Sequence, residues 1–326
     1  MNQQRVVNKT AKRNVTSTAI RIWNCVGVIG IAGTLVSVFS GWFWIADLFA
    51  QLNVQFVVLM LATLPLWAYR RRRKTLFLAG CALAWNLFIM APYFLPPETG
   101  PGDRNFELVL FNVLRTNDAV AKTLDEAIRD EPDFLFLMET SPRWDEPLRQ
   151  LERIYPYQKR ICREDYTGVA FLSKHPWQRL DVPNVSGANP PIDVQFAVDA
   201  VNFRLILTHP LPPISPGLAE SRDEQLTKLA KTVTHSLPTL LAGDFNLTPW
   251  SARFRELLGA GVLHDLSRGF GLAPTLTPLP TWFGGVKVDH ALGNAGLGAL
   301  DFQVGQTEFS DHRPVLVRFF VRSLSQ

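Results

Sequence analysis

Apolar positions along the chain fall into two regimes. In the first hundred residues they form three long uncharged runs, Ile22–Ser40, Leu52–Tyr69 and Leu76–Leu95. Each approaches the ~20 residues a helix needs to cross a hydrocarbon core. Further along, the apolar runs shorten to about four to eight residues rich in Val, Leu and Phe, the length and composition of buried strands. The pattern predicts strands at Asp133–Met138, Gly168–Ser173, Val194–Val201, Phe203–Thr208, Thr239–Ala242, Lys287–Leu292 and Pro314–Val321. A helix is predicted over Val120, Leu124, Ala127 and Ile128 with Asn117 as its cap, and a second over Leu218–His235, with a tight turn at Asn202. The Pro/Gly-rich stretch PPETGPGDRN, residues 96–105, reads as a connector. The expected organisation is a membrane region at 1–96 with spans near 22–40, 52–69 and 76–95, a linker at 97–105, and a catalytic domain at 106–326. Neighbouring strand pairs combined with strand–helix alternation predict an α/β domain with mixed sheets.

Charge sharpens the division. Residues 1–96 carry ten Lys and Arg against the single acid Asp47, a net of +9, whereas residues 97–326 carry 23 bases and 28 acids, a net of −5. The basic pI thus describes the helices and not the domain with the motifs. Arg5, Lys9, Lys12, Arg13 and Arg21 precede the first run, and Arg70 to Lys74 separate the second from the third. The positive-inside rule places both clusters in the cytoplasm and everything after Pro96 outside. Three cysteines are too few for a disulfide framework.

Six apolar runs end on residues suited to metal or phosphate. They are LVLFNV with Asn112, FLFLMET with Glu139, LILTHP with His209, LLAGDFN with Asp244 and Asn246, VDHAL with Asp289, and SDHRP with Asp311 and His312. Strand ends are where side chains from separate strands converge on a ligand. Glu139 is the expected anionic metal ligand, because Mg²⁺ prefers oxygen donors and commonly takes one or two carboxylates. Asn112 can orient that carboxylate or contact a metal-bound water. Asp244 and Asn246, two apart, project to one side of an extended segment; an Asx turn is an equally compatible reading. His312 is the candidate general base or phosphate contact, with Asp289 fixing its tautomer. His290 is expected to be structural. Arg222 and Arg313 could bind phosphate oxygens. Neither HExxH nor a zinc-spaced Cys/His cluster is present, and no GxSxG elbow supports a serine hydrolase.

In this order the motifs resemble the endonuclease/exonuclease/phosphatase superfamily, over residues 105–322. THPLPP, ESRDEQL and GDFNLTPWS resemble the bacterial members tethered by N-terminal membrane helices. The resemblance implies a four-layer α/β sandwich and a divalent cation, Mg²⁺ with Mn²⁺ as the alternative. It also implies that His209 contacts the scissile phosphate, that Asp289 pairs with His312, and that Asp311 lies near the metal or orients His312. Whether Asp244 or His312 activates water stays open at this level.

The expectation is a membrane-anchored, metal-dependent phosphoesterase in the bacterial plasma (inner) membrane. Its partners are the lipid bilayer and a phosphate-containing substrate. The N-terminus is cytoplasmic and the catalytic domain extracytoplasmic. Tethering favours lipid phosphate or pyrophosphate; an extracytoplasmic nuclease acting on DNA or RNA is the alternative. A domain at net −5 forgoes the counterion release that drives non-specific nucleic-acid binding.

Overall fold

The structure is a computed structural model. It describes residues 2–97, 100, 102–183, 189–277 and 284–322, with the backbone alone for residues 2–16. Of the predicted connector, residues 98, 99 and 101 lie outside the described residues, as do residues 323–326 of the predicted domain. The chain divides into two compact units, Met1–Ala91 and Pro92–Gln326.

The first unit is helical: α1 (Asn2–Ser37), α2 (Trp44–Ala50), α3 (Asn53–Tyr69) and α4 (Arg73–Met90). Two segments, Ser17–Ser37 and Arg73–Tyr93, are long and apolar enough to cross a membrane. The remaining predicted span is a bent pair, α2 and α3 meeting at 58°. At 17 residues α3 is shorter than the other two segments, and it carries Pro65 within it. Gly27, Gly30 and Gly33 line the contact between α1 and α3. A Cβ on any of them would lie within 3 Å of Trp67, Met60 or Phe56, so small residues set this close approach.

The second unit contains β1 (Arg104–Asn112), α5 (Val120–Ala127), β2 (Phe134–Met138), α6 (Asp145–Arg149), β3 (Tyr157–Ile161), β4 (Val169–Ser173), β5 (Trp177–Asp181), β6 (Ile192–Val198), β7 (Val201–Leu207), α7 (Pro216–Lys231), β8 (Thr239–Asp244), α8 (Ala252–Ala260), β9 (His264–Asp265), β10 (Asp289–Gly293), β11 (Leu297–Val304) and β12 (Val315–Val321). Two six-stranded sheets form, in the orders β11-β12-β1-β2-β4-β3 and β5-β6-β7-β8-β10-β9. Each is mixed, with one parallel pair: β1 with β2, and β7 with β8.

Alternation inside the continuous apolar runs builds the layers. Phe106, Leu108, Leu110, Phe134, Phe136 and Met138 face the other sheet, where Phe196, Phe203, Leu205 and Leu240 meet them. Their sequence neighbours Val109, Phe111, Leu135 and Leu137 pack outward with Leu124 and Leu148 of α5 and α6. On the other flank Ile206 and Leu241 pack against Leu226 and Leu257 of α7 and α8. Strands buried on both faces read as unbroken apolar runs, and the result is the four-layer sandwich.

Local details differ from the sequence reading in three places. The β6–β7 turn is Asp199–Ala200, both at positive φ (49° and 66°), rather than Asn202, which pairs with Ala197 in the ladder. Two left-handed residues match the twist of a tight hairpin. Asn117 sits two residues before the Ala119 cap of α5, where its Oδ1 accepts from the Ala119 amide at 2.8 Å. Helix α7 ends at Lys231 and is capped by Ser215, whose hydroxyl accepts from Leu218 N–H ahead of Pro216 at the first helical position.

Candidate active site

Strand parity assembles the site. Both parallel pairs end at the same edge of the sandwich. Asn112 closes β1 and Asp244 closes β8, each continuing the series that faces the opposite sheet. His209 follows β7 in the same phase after Leu205 and Leu207. Asp289 opens β10 directly opposite Asp244 in the antiparallel ladder. Its neighbour His290 points the other way, fully buried against Phe245 and Phe254, with Nε2 2.7 Å from the Leu247 carbonyl. Burial draws the His290 pKa down to about 4, so it is a neutral structural imidazole. Glu139 is out of phase with the inward residues of β2, and a left-handed turn at φ 61° redirects it.

Asp244 is the hub. Its Oδ2 lies 3.2 Å from Asn112 Nδ2, 3.5 Å from His209 Nε2 and 3.6 Å from His312 Nε2, while its Oδ1 accepts from the Asn246 amide at 2.9 Å. Its own N–H reaches the Met138 sulfur across the sheets. Gly243 precedes it at φ 139°, where a Cβ would fall 1.9 Å from the Thr208 carbonyl oxygen. Only glycine fits there, and that close approach brings the ends of β7 and β8 together.

Asn112 donates to Glu139 Oε1 at 3.0 Å as well as to Asp244, and the Arg115 amide donates to Glu139 Oε2 at 3.2 Å. His312 Nδ1 is 3.0 Å from Asp289 Oδ2. The Ser310 hydroxyl receives the His312 amide and donates to the Asn112 carbonyl, pinning the SDHRP segment beside β1. The Thr275 hydroxyl accepts the amides of Val288 and Asp289.

The electrostatics follow from dense burial of charge. Desolvation raises the Asp244 pKa, and the Asp289 charge adds to it against the His312 and His209 charges. For Asp289 the same desolvation is outweighed by the charge and hydrogen bond of His312, and its pKa is lowered. Burial alone would lower His312, but the Asp289 and Asp244 charges lift it to about 10. The resting pair is therefore an imidazolium against a carboxylate, beside a second carboxylate of raised proton affinity.

The residues present fit a hard divalent cation. One amide group, Asn112 Nδ2, reaches both Glu139 and Asp244, so two carboxylates converge with a single neutral donor between them. Such an oxygen-rich set suits Mg²⁺ rather than Zn²⁺. Among the described residues, Asp244, Asp289 and His312 also bring ligand atoms within 4.8 Å of one another. The Asp289–His312 hydrogen bond ties two members of that trio to each other.

Three sequence candidates take other positions. Asp311 is exposed and outside this cluster, with its carbonyl paired to the Thr277 amide, because adjacent residues of an extended segment face opposite ways. Arg222 is 1% exposed; its guanidinium binds the Asn246 carbonyl at 2.8 Å and Asp223. It props the GDFN turn from within. Arg313 is half-buried beside His312, its amide bonded to the Thr275 carbonyl. Asn246 sits at φ 51° in the Asx turn, with one side-chain N–H on the Pro210 carbonyl. Sequence reasoning missed Arg115, Thr275 and the supporting role of Ser310. Only Ser310 carried a signal, as part of SDHRP.

The fold is shared with solved structures at low sequence identity. An endonuclease/exonuclease/phosphatase from Beutenbergia cavernae is 19% identical with a TM-score of 0.54, covering 68% of this chain and 72% of that one. D. rerio TDP2, complexed with a single-strand DNA product, is 14% identical with a TM-score of 0.56, covering 67% and 99%. A mutant beta toxin from Staphylococcus aureus with bound magnesium ions is 17% identical with a TM-score of 0.51, covering 66% and 99%. No curated protein matches the chain. The model of the Endonuclease/Exonuclease/phosphatase family matches residues 109–312, from β1 to His312. The chain belongs to that family and is a metal-dependent hydrolase acting on phosphoric ester bonds.

Proposed function

We propose that this protein is a membrane-anchored, Mg²⁺-dependent phosphoesterase of the bacterial type, acting on a lipid phosphate or pyrophosphate at the outer face of the plasma membrane. The convergence of Glu139, Asn112, Asp244, His209 and the Asp289–His312 pair on one sandwich edge carries the chemical part of this reading. Glu139 and Asn112 would hold the cation, with Asp244 adjoining. When bound, it supplies Lewis-acid polarisation of a phosphoryl oxygen. Asp244, with its raised proton affinity, takes the proton of the attacking water. His312, an imidazolium held by Asp289, faces the developing charge and can protonate the leaving oxygen. His209, whose buried Nδ1 has no partner among the described residues, binds a phosphate oxygen. Asn246 and Arg313 complete the phosphate contacts, while Arg222 supports Asn246.

The membrane part rests on an inside-out first unit. Phe77 and Phe88 are 71% and 73% exposed, while Thr34 and Asn86 are buried and hydrogen-bonded to each other. Apolar surface of that extent needs lipid around it. The basic clusters flanking the helices orient the N-terminus inward and residues after Pro96 outward.

A nuclease reading is kept in view by one neighbour, the TDP2 structure with its single-strand DNA product. Its weakness is the domain's net charge of −5. The deciding experiment compares turnover of DNA, RNA and micellar lipid phosphates at matched Mg²⁺ and ionic strength. Lipid-phosphate turnover is the expected result; plasmid cleavage without it refutes the lipid assignment. Alkaline phosphatase fused after Pro97 should be active and a fusion within Arg70–Lys74 inactive; the reverse pattern refutes the topology.

A further inference from the structure

The first residues of the second unit lie against the sandwich and border a cleft that the hydrolytic site does not use. Tyr93 closes the apolar segment Arg73–Tyr93 and is itself 3% exposed. Its hydroxyl donates to Asp265 Oδ2 at 2.7 Å, its ring meets Trp250 edge-on at 5.2 Å, and its carbonyl takes the Gly271 amide at 2.8 Å. Gly269, at φ 89°, admits the residues that follow. A Cβ there would fall 2.5 Å from Pro97 N and 2.8 Å from the Leu95 carbonyl oxygen. The chain is thus fastened to the catalytic domain as soon as its apolar segment ends.

Beside this strap, at the edge strands β9 and β11, lies a cleft of about 230 Å³ whose lining includes Leu95, Pro96, His264, Asp265, Arg268 and Ala299. Its charge is unbalanced. Asp265 is the one acid in the lining, and both its oxygens are taken: Oδ1 by the Ser267 amide and hydroxyl, Oδ2 by Tyr93. Arg268 is exposed and forms no ion pair among the described residues; its guanidinium acts on the Tyr93 hydroxyl. A guanidinium without an acid partner suits the oxygens of a phosphate. Phe94 and Leu95, one and two residues past the apolar segment, are 66% and 59% exposed. Exposed apolar side chains next to an arginine match the headgroup layer of a bilayer, where hydrocarbon and phosphate meet.

We propose that this cleft seats the phosphate of an anionic phospholipid, with Arg268 as its charged donor and Phe94 and Leu95 against the acyl chains. A soluble phosphate would leave that apolar pair in water, so the ligand is a lipid. The inference rests on the membrane reading of the first unit, which the alkaline phosphatase fusions test separately, and not on the substrate assigned to the active site.

The full chain is purified in detergent with EDTA, so that no turnover occurs, and titrated with dioleoyl phosphatidylglycerol, bound lipid being counted by native mass spectrometry. Arg268→Gln is expected to weaken retention of a lipid by about tenfold, the worth of one charge-assisted hydrogen bond. Arg268→Lys, which keeps the charge, should recover most of that loss, and Phe94→Gln should cost about tenfold as well. Lipid bound at the basic residues of the helical unit is a background common to all variants. Glu139→Gln should retain lipid as wild type does, and Arg268→Gln should hydrolyse bis-p-nitrophenyl phosphate with Mg²⁺ at the wild-type rate. Equal retention by wild type and Arg268→Gln would overturn the proposal. So would a loss in Glu139→Gln in place of Arg268→Gln, which would put the lipid in the active site. Displacement of the lipid by an equal concentration of glycerol 1-phosphate would make the ligand a free phosphate and overturn it too.

Discussion

The two units of this chain bury opposite kinds of residue. In the helical unit Thr34, Asn86, Asn53 and Thr63 are buried while Ile29, Leu61, Phe77 and Phe88 are exposed. In the sandwich Phe106, Phe134, Phe196 and Phe203 are fully buried or nearly so, and Lys, Arg and Glu cover the outside. Hydrophobic burial can drive folding only where the alternative is water. The first unit has the composition of helices whose surroundings are as apolar as their side chains, so close glycine contacts and polar pairs must join them. Buried polar groups join helices in the first unit; in the second, some brace turns and others gather at the strand ends of the candidate site.

The largest effect should come from the chemical half. Glu139→Gln and Asp244→Asn are expected to lower phosphodiesterase kcat/KM on the order of 10³-fold each, with the circular dichroism and thermal midpoint of the sandwich kept. Chelation should have a comparable effect, reversed by adding Mg²⁺. Activity that survives both Glu139→Gln and chelation would show that these buried polar groups are structural after all, and the contrast between the units would lose its chemical half.

Core packing comes next. Phe203 stacks on Phe196 at 5.1 Å and lies 4.7 Å from Phe106 between the sheets. Phe203→Ala should destabilise the second unit by about 3–5 kcal/mol in denaturant titrations. A loss below about 1 kcal/mol would mean that the inter-sheet layer does not dominate the stability of the domain.

A smaller, pH-dependent effect tests the site's charge balance. The His312 pKa is raised from an ordinary 6.5 to about 10. A raised folded-state pKa stabilises fully below the unfolded value and is lost as pH rises through the folded one. Metal-free protein should thus lose stability between about pH 6.5 and 10, by at least ~1 kcal/mol or about 2–4 °C in midpoint. His312→Asn should flatten that part of the curve. An unchanged slope in the variant would place the titration elsewhere.

The sequence revealed most where strands are buried on both faces. FLFLM and LLAGD announce β2 and β8 because both sides of each strand meet apolar layers. Edge strands were silent: β3 (YQKRI) is half-exposed throughout, and β5 has outward charges, so neither forms an apolar run. In the site, Asp244 and Asp289 were legible as polar residues at the ends of apolar runs, and the resemblance pairs Asp289 with His312; the strand phase that separates Asp289 from His290 is visible in the structure. The left-handed turns at Glu139 and Asn246 follow from local sterics that periodicity does not encode. Arg222 was misleading for another reason: an arginine's charge suggests phosphate, yet here it serves a backbone carbonyl buried beneath the turn.

The smallest expected effect bears on the comparison most directly. Asn86 on α4 donates through Nδ2 to the Thr34 hydroxyl of α1 at 3.0 Å and to the Ala82 carbonyl of its own helix. In a water-soluble core, stranding the partner of a buried amide costs about 1–3 kcal/mol. Among helices in lipid, interhelical hydrogen bonds average only about 0.6 kcal/mol, because the separated helices find other partners. Asn86→Leu should therefore shift the SDS-driven unfolding of the helical unit in mixed micelles by less than about 1 kcal/mol. Thr34→Val should behave alike, and the double variant should add almost nothing. The phosphodiesterase kcat of the sandwich should be unchanged in all three. A loss above about 2 kcal/mol would give these helices the energetics of a soluble core, and the contrast between the two units would then lie in their sequences alone and not in their solvents.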